Sequence, residues 1–411
     1  MINKQERIRF ERIISGGSAL GRLASGKVCF VPFALPDEEA TVRILREKNS
    51  FAEAEIVELH ESRSSARITP RCPYFGQCGG CQYQHIDYTT QLTIKREHVA
   101  DALRRIGGFT SGKWKVESGK LDNAAEGGNN NFQLSTFNFQ LPPTLPSPQP
   151  WGYRNRISVH TRAGRTGFFR PRSNYVVDVA RCELASEEVN AHLAKLRATR
   201  PRDGERTLRE AAQYRGFRQV NDGAAQLLRD TVESFLPERG ATLVDAYCGA
   251  GFFAEAFAPR FDAVYGIEWS ASAIAYAREH ASANCRYIEG DVALHLAEVL
   301  AAVQHSGDSG KSGESNVLRG EAANFQLSTF NFQLPTTLLL DPPATGCAPA
   351  VLDAIVATPP ETLIYISCDP ATLARDLKAL SSKYTLKTAQ PIDMFPQTAQ
   401  IEVVAHLARI L

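Results

Sequence analysis

The run Leu243-Val244-Asp245-Ala246-Tyr247-Cys248-Gly249-Ala250-Gly251-Phe252 decides how the second half of this 411-residue chain folds. An apolar strand pattern ends there in a Gly-x-Gly turn, which lets a helix start close to a nucleotide-like ligand. One βα unit later, Val264-Tyr265-Gly266-Ile267-Glu268 reads as a second strand ending in an acid, placed to accept hydrogen bonds from both hydroxyls of a ribose. In Ile288-Glu289-Gly290-Asp291-Val292, Asp291 sits where a third strand ends near the base of such a ligand. Leu338-Leu339-Leu340-Asp341-Pro342-Pro343 is a further apolar strand that delivers a carboxylate to the rim, with two prolines fixing the turn. As a bare tripeptide, Asp-Pro-Pro is equally a strand-ending turn. Strand and helix signals alternate from about 221 to the end, which predicts a doubly wound α/β domain.

Two more residues of that half carry reactive groups. In Tyr365-Ile366-Ser367-Cys368-Asp369-Pro370-Ala371, the apolar stretch Leu363–Ile366 predicts a buried strand and Ala371–Leu380 an amphipathic helix. A cysteine between them can aim its sulfur into a cleft, where the helix N-terminus favours the thiolate. The alternative is a small buried cysteine in a packed turn. Glu402 is a lone acid flanked by Ile401 and Val403-Val404. Desolvation there would make it a usable base, whereas an edge strand would leave it an ordinary exposed carboxylate.

The first half reads differently. Residues 1–60 alternate apolar and polar positions between Gly and Pro punctuation, which suits a small barrel of strands. Three thiols follow within ten residues, in Cys72-Pro73-Tyr74-Phe75-Gly76-Gln77-Cys78-Gly79-Gly80-Cys81, and Cys182 is the best candidate for a fourth ligand on one centre. Thiolate sulfur suits zinc or an iron–sulfur cluster, and spacing leaves both open. Nine cysteines, an odd number, argue against a disulfide framework. Further strand-like segments run from Tyr153 to Val179.

Net charge is +1, yet residues 1–220 carry about +11 and residues 221–411 about −10. That asymmetry points to a polyanionic partner for the first half, or to a solvated basic face. The charged N-terminus is no signal peptide and no apolar run spans a membrane, so a cytoplasmic protein is expected. Asn131–Pro142, NFQLSTFNFQLP, recurs unchanged at Asn324–Pro335. Two separate copies do not form a solenoid. They read as low-complexity insertions in surface loops, at about 116–149 and 305–335, or else as a pair of matched binding loops or strands that pair with each other.

These residues resemble the RNA (uracil-5-)-methyltransferase family over nearly the whole chain, and in particular its iron–sulfur-containing ribosomal type. Gly16-Gly17-Ser18-Ala19-Leu20-Gly21-Arg22 and Val31-Pro32-Phe33-Ala34-Leu35-Pro36 look like its TRAM domain, an RNA-binding oligonucleotide-fold barrel. The cysteine run continues into Gln82-Tyr83-Gln84-His85, similar to the family's iron–sulfur signature. Tyr153-Arg154-Asn155-Arg156 and Gly167-Phe168-Phe169-Arg170 match its central domain, and Phe217-Arg218-Gln219-Val220-Asn221 the segment opening the methyltransferase domain. The run from Ser367 to Asp376 is the most specific match. Ala344, Gln400 and Phe252 stand where the family commonly has arginine, histidine and asparagine.

The resemblance implies three domains: a TRAM barrel at 1–61, a central iron–sulfur α+β domain at 62–220, and a Rossmann-like S-adenosylmethionine (SAM)-dependent methyltransferase domain at 221–411. It implies Cys368 as nucleophile and Glu402 as the base that removes the C5 proton. Gln219, Tyr247, Gly249, Gly251, Phe252, Glu268, Asp291 and Asp341 would surround SAM and the target base. Cys72, Cys78, Cys81 and Cys182 would hold a [4Fe–4S] cluster. The expected protein is a monomer that methylates C5 of a uridine in RNA, 23S ribosomal RNA before transfer RNA. A non-catalytic iron–sulfur RNA-binding assembly factor is the rival from another class. An amino-methyltransferase using Asp341-Pro342-Pro343 would need no cysteine. A radical-SAM enzyme is disfavoured, because five residues rather than three separate Cys72 and Cys78.

Overall fold

The computed structural model describes residues 4–61, 64–109, 139–211, 219–305 and 335–410. Two compact units make up the chain. The first comprises Met1–His98, Pro143–Ser234 and Ile392–Glu402, the second Val99–Pro142, Phe235–Pro391 and Val403–Leu411.

Unit 1 begins with strands β1 (Gln5–Ile13), β2 (Ser18–Arg22), β3 (Val28–Pro32), β4 (Glu39–Glu47) and β5 (Phe51–Glu61), which close into a barrel in the order β1-β2-β3-β5-β4. Period-two alternation explains it. Ile8 and Phe10 of β1 and Ala40, Val42 and Ile44 of β4 face one core, while the charged residues between them face out. Register shifts in the β1–β2 and β4–β5 pairs add the bend that closure needs. Helix α1 (Tyr88–Arg105) follows, with its residues as far as His98 in this unit. A four-stranded antiparallel sheet is then built from β6 (Arg156–Arg162), β7 (Arg165–Phe169), β8 (Val176–Asp178) and β9 (Gly204–Arg209), in the order β8-β7-β6-β9. Helix α2 (Glu187–Ala198), whose first turn Ser186 caps, packs Val189 and Leu193 against Ile157 and Val159 of β6. Helix α3 is Asp222–Phe235.

Unit 2 holds a seven-stranded sheet. Its strands are β10 (Gly240–Ala246), β11 (Phe261–Glu268), β12 (Cys285–Glu289), β13 (Thr336–Leu340), β14 (Thr362–Ser367), β15 (Tyr384–Ile392) and β16 (Glu402–Arg409), in the order β12-β11-β10-β13-β14-β16-β15. The first five are parallel to one another and β16 runs antiparallel to β14. Every residue of β10 is buried, as expected for a strand covered on both faces. Helices α4 (Phe252–Phe257), α5 (Ala271–Glu279), α6 (Val292–His305), α7 (Pro349–Ala357) and α8 (Pro370–Leu380) supply the crossovers. No described helix is long and apolar enough to cross a membrane.

The expected loop insertion at about 116–149 lies outside the described residues as far as 138, and its remainder is packed rather than looped out. In unit 2, Phe139 meets Phe109 edge-on, Gln140 bridges to Thr388, and Leu141 is buried. In unit 1, Thr144 and Ser147 are buried. The Thr144 hydroxyl donates to the Leu92 carbonyl, and the Ser147 N–H to the Tyr88 hydroxyl. These polar groups are held by specific partners, which composition does not reveal. Residues 306–334, most of the second insertion and repeat, also lie outside the described residues.

Candidate active site

The carboxyl ends of the parallel strands in unit 2 form one rim. Between β10 and β13 the sheet order reverses, which leaves a crevice where such folds bind ligands. The register Ala246↔Ile267, Glu268↔Glu289 and Ala246↔Leu340 brings four strand ends within one residue of each other, and Leu340↔Tyr365 lets β14 run two residues further, to Ser367. Tyr247, Gly249 and Gly251 follow β10, Glu268 ends β11, Asp291 follows β12, Asp341 follows β13 and Cys368 follows β14.

The turn after β10 is tightly drawn. Tyr247 has φ +67° and Gly251 φ +85°. A Cβ at Gly251 would come within 2.6 Å of the Tyr287 hydroxyl, so the position takes only glycine. The Tyr247 and Cys248 N–H groups both donate to the Ile267 carbonyl, at 2.9 and 3.1 Å. Glu268 is buried, and its two oxygens accept from the Gly249 and Ser270 N–H groups at 3.2 and 2.9 Å. That fixes the carboxylate at the rim with lone pairs left over for a diol. Phe252 starts α4, and exposed Asp291 caps the start of α6 through Ala293 N–H. Asp245, which the sequence reading did not single out, is fully buried within β10. One of its oxygens accepts from Ala254 N–H, and the other has no partner among the described residues. Burial, then the nearby Asp341 carboxylate, holds its pKa well above the usual carboxylate range.

Asp341 is half-buried, and desolvation pushes its pKa up to about 7 from the ordinary 3.8. Folding therefore takes up a proton between about pH 4 and pH 7, and stability falls as pH rises through that window. Asp341→Asn removes this dependence. We expect its melting temperature to exceed that of the wild-type protein by a margin that grows from pH 5 to pH 8. An offset that stays constant with pH would rule out titration of Asp341 in this range.

Cys368 is exposed, one residue beyond β14 and one before the Asp369 cap of α8. The strand–cysteine–helix reading holds, but the helix end is not left to the sulfur. The Asp369 carboxylate accepts from the Ala371 and Thr372 N–H groups at 2.8 and 2.9 Å. It takes up the donors that were to favour a thiolate and adds a negative charge beside it. Glu402 opens β16, which lies between β14 and β15 rather than at an edge, and it is 7% exposed. The exposed edge-strand alternative is thereby excluded. In the β14–β16 ladder Ser367 pairs with Val403; Cys368 follows the one and Glu402 precedes the other.

Gln219 and Glu402 belong to unit 1. Gln219 is half-buried, and its carbonyl accepts from Asn155 Nδ2 at 2.8 Å. Phe217 and Arg218 lie outside the described residues.

Unit 1 also contains a cavity of about 470 Å³ lined by Cys72, Cys78, Cys81, Cys182 and Arg154. Tight backbone bonds place the thiols. Cys78 N–H donates to the Tyr74 carbonyl at 2.9 Å, Gly80 N–H to Cys78 Sγ at 3.4 Å, and Cys182 N–H to Asn190 Oδ1 at 2.9 Å. The Gln84 carboxamide accepts from Cys72 N–H at 3.0 Å. Burial pushes the Cys78 and Cys81 thiols up to about 11 and 12, against the pull of the Arg154 guanidinium. Arg154 Nε has no hydrogen-bond partner among the described residues. Nor do three or more His, Cys, Asp or Glu side chains there meet as a ligand set for a metal ion. The four thiols ring a cavity instead of converging on a point.

A parallel sheet that reverses its strand order, with acids along its rim, is an arrangement that suits a nucleoside cofactor. Residues 202–410, just over half the chain, match the family profile of tRNA (Uracil-5-)-methyltransferase, and residues 1–57 match the TRAM domain. The chain belongs to that tRNA (uracil-5-)-methyltransferase family; it is a SAM-dependent enzyme acting on RNA, with a TRAM barrel at its N-terminus. An uncharacterized RNA methyltransferase of Synechocystis is 28% identical, covering 96% of this chain and 93% of that protein. One from Nitratidesulfovibrio vulgaris is also 28% identical, covering 98% and 95%. The Pyrococcus abyssi tRNA (uracil-54, C5)-methyltransferase, solved with S-adenosyl-L-homocysteine, superposes with a TM-score of 0.63. It covers 98% of this chain and all of that one at 20% identity, and so shares the fold.

Proposed function

We propose that the protein methylates C5 of one uridine in 23S ribosomal RNA through a covalent adduct between Cys368 and C6. The observation that carries this reading is the pair of adjacent strand ends, β14 running into Cys368 and β16 starting at a buried Glu402. Uracil C5 is too weak a nucleophile to attack a methyl sulfonium unaided. Addition of the Cys368 thiolate to C6 turns C5 into an enolate-like carbon that can take the methyl group. Glu402 then removes the C5 proton, the C5–C6 double bond re-forms, and the C6–sulfur bond breaks with its electron pair returning to Cys368. SAM supplies the methyl group. Gln219, Tyr247, Gly249, Gly251, Phe252, Glu268, Asp291 and Asp341 hold it and the target base. The base is flipped out of folded RNA, which the barrel at 1–61 and the segment up to 220 grip, while residues 221–411 carry out the transfer. The protein acts in the cytoplasm as a monomer.

Cys72, Cys78, Cys81 and Cys182 are assigned a [4Fe–4S] cluster. A four-iron cluster keeps its sulfur ligands further apart than a single tetrahedral ion does, which suits thiols spread around a cavity. The Arg154 cation and the Gly80 N–H offset the negative charge of the ligands. Protein isolated without oxygen should contain iron and sulfide in equal amounts and absorb in the visible. Cys81→Ser should lose both while Cys368→Ala keeps them. Zinc in the isolated protein would overturn the cluster assignment.

Ribosomal RNA is preferred because the cysteine set resembles the ribosomal branch of the family. Transfer RNA is the second reading, favoured by the full-length likeness to an enzyme described as acting on tRNA uracil-54. Transcripts carrying 5-fluorouridine decide between them, since fluorine at C5 cannot leave as a proton and the adduct stalls. An adduct on Cys368 with 23S fragments supports the reading, and one with transfer RNA only moves the substrate. No adduct with either RNA, although both bind, would leave a non-catalytic RNA-binding protein.

A further inference from the structure

The segment Ile392–Glu402, between β15 and β16, is buried almost throughout, unlike most loops. Its polar groups need partners, and α1 supplies them. Gln91 and Lys95 lie one turn apart on α1, and both are wholly buried. Lys95 Nζ donates to Asp393 Oδ1 at 2.5 Å and to the Phe395 carbonyl at 3.1 Å. Gln91 Nε2 donates to Gln397 Oε1 at 3.0 Å, and Gln91 Oε1 accepts from Gln397 N–H at 3.1 Å. Gln91 Nε2 also reaches the Tyr83 and Ile86 carbonyls at 3.2 and 2.8 Å, tying itself to the chain just after the cysteine run. From there the Gln82 and Tyr83 N–H groups donate to the Gln397 carbonyl at 3.1 and 3.0 Å. Gln397 is thus gripped at N–H, carbonyl and side chain, and its φ of +69° is one that L residues seldom adopt. Five residues later comes Glu402.

A buried ion pair is a weak source of stability, because apolar side chains of equal volume usually do as well. A buried amide gripping one strained residue adds direction rather than area. We propose that Gln91 and Lys95 are positioning residues for Glu402. Lys95 anchors the start of the loop at Asp393, and Gln91 fixes the turn at Gln397 from which the chain enters β16 with the carboxylate aimed at the C5 proton. The proposal rests on Glu402 being the base that resolves the adduct. Neither residue touches RNA or SAM in this role. The loss of either leaves C6 addition and methyl transfer intact and slows proton removal.

That asymmetry gives a readout that a merely structural role does not move. In a single turnover with labelled SAM and an unmodified transcript that the wild-type enzyme methylates, Gln91→Leu should transfer the methyl group within about fivefold of the wild-type rate. Release should slow at least about tenfold. Methylated RNA–protein adduct then accumulates on a denaturing gel towards the level reached by Glu402→Gln, while wild type shows little. Gln397→Gly keeps the backbone conformation and deletes the side-chain partner; it should behave alike, and it carries the test if Gln91→Leu does not fold. Wild-type release from both variants overturns the proposal, as does a fall in transfer and release together without adduct. A Glu402→Gln enzyme that releases product normally overturns the base assignment itself, and the positioning role with it.

Discussion

Cys368→Ala is expected to lower methyl transfer by about 10⁴-fold or more, the scale seen when a covalent nucleophile is removed, while the protein still folds and binds RNA and SAM. The side chain is exposed at the strand end, so losing one sulfur should move stability by no more than about 0.5 kcal/mol. On the proposed mechanism, C5 without the thiolate keeps its uracil-like reactivity. Adduct formation with 5-fluorouridine RNA should vanish in parallel. The measurement is incorporation of labelled methyl beside a binding isotherm for the same transcript. A variant that still methylates within tenfold of wild type would exclude the covalent route, and the Asp341-Pro342-Pro343 turn would then be the place to look for chemistry on an exocyclic amine.

The largest stability effect should come from the buried Lys95–Asp393 pair of unit 1. Lys95→Met leaves Asp393 buried beside an apolar chain and is expected to destabilise unit 1 by about 3–5 kcal/mol. Most of that loss is the stranded carboxylate. The double variant Lys95→Met/Asp393→Asn carries no buried charge at this place. Its introduced carboxamide oxygen can still accept from Phe395 N–H, as the Asp393 carboxylate does, so it should recover the greater part. Denaturant titrations of the two variants test this directly. If single and double variants are equally unstable, the loss reflects packing of the lysine stem and not charge.

Much of this architecture was legible in the residues. Ile8, Phe10, Val42 and Ile44 alternate because one face of each barrel strand is dry. The closely spaced apolar residues of β10, Ala241, Leu243, Val244 and Ala246, reflect a strand covered on both sides. Glu268 and Asp341 could be placed because each closes a strand pattern, and Gly251 because its Gly-x-Gly turn follows one; such ends share one rim in a parallel sheet. What stayed hidden depends on partners remote in sequence. Gln91 and Lys95 look like surface residues of a weakly patterned helix until Gln397 and Asp393 arrive, 306 and 298 residues further on. Thr144 and Ser147 sit in a proline-rich tract that composition marks as loop. The competition between Asp369 and Cys368 for one helix end was readable in principle, since an aspartate before Pro370 is a strong capping signal.

The long reach of the Gln91–Gln397 and Lys95–Asp393 bonds also sets when the enzyme can first work. Chains emerge from the ribosome N-terminus first, and most of unit 1 is already synthesised when residue 234 appears. Its last stretch of backbone, Ile392–Glu402, is made about 160 residues later. Until then Lys95 lacks Asp393 and the Phe395 carbonyl, Gln91 has only the Tyr83 and Ile86 carbonyls, and the segment that carries Glu402 does not exist. A nascent chain can thus fold its barrel and meet RNA long before it can release a methylated product. With Glu402 as the proposed base, product release waits until Ile392–Glu402 has joined the rest of unit 1.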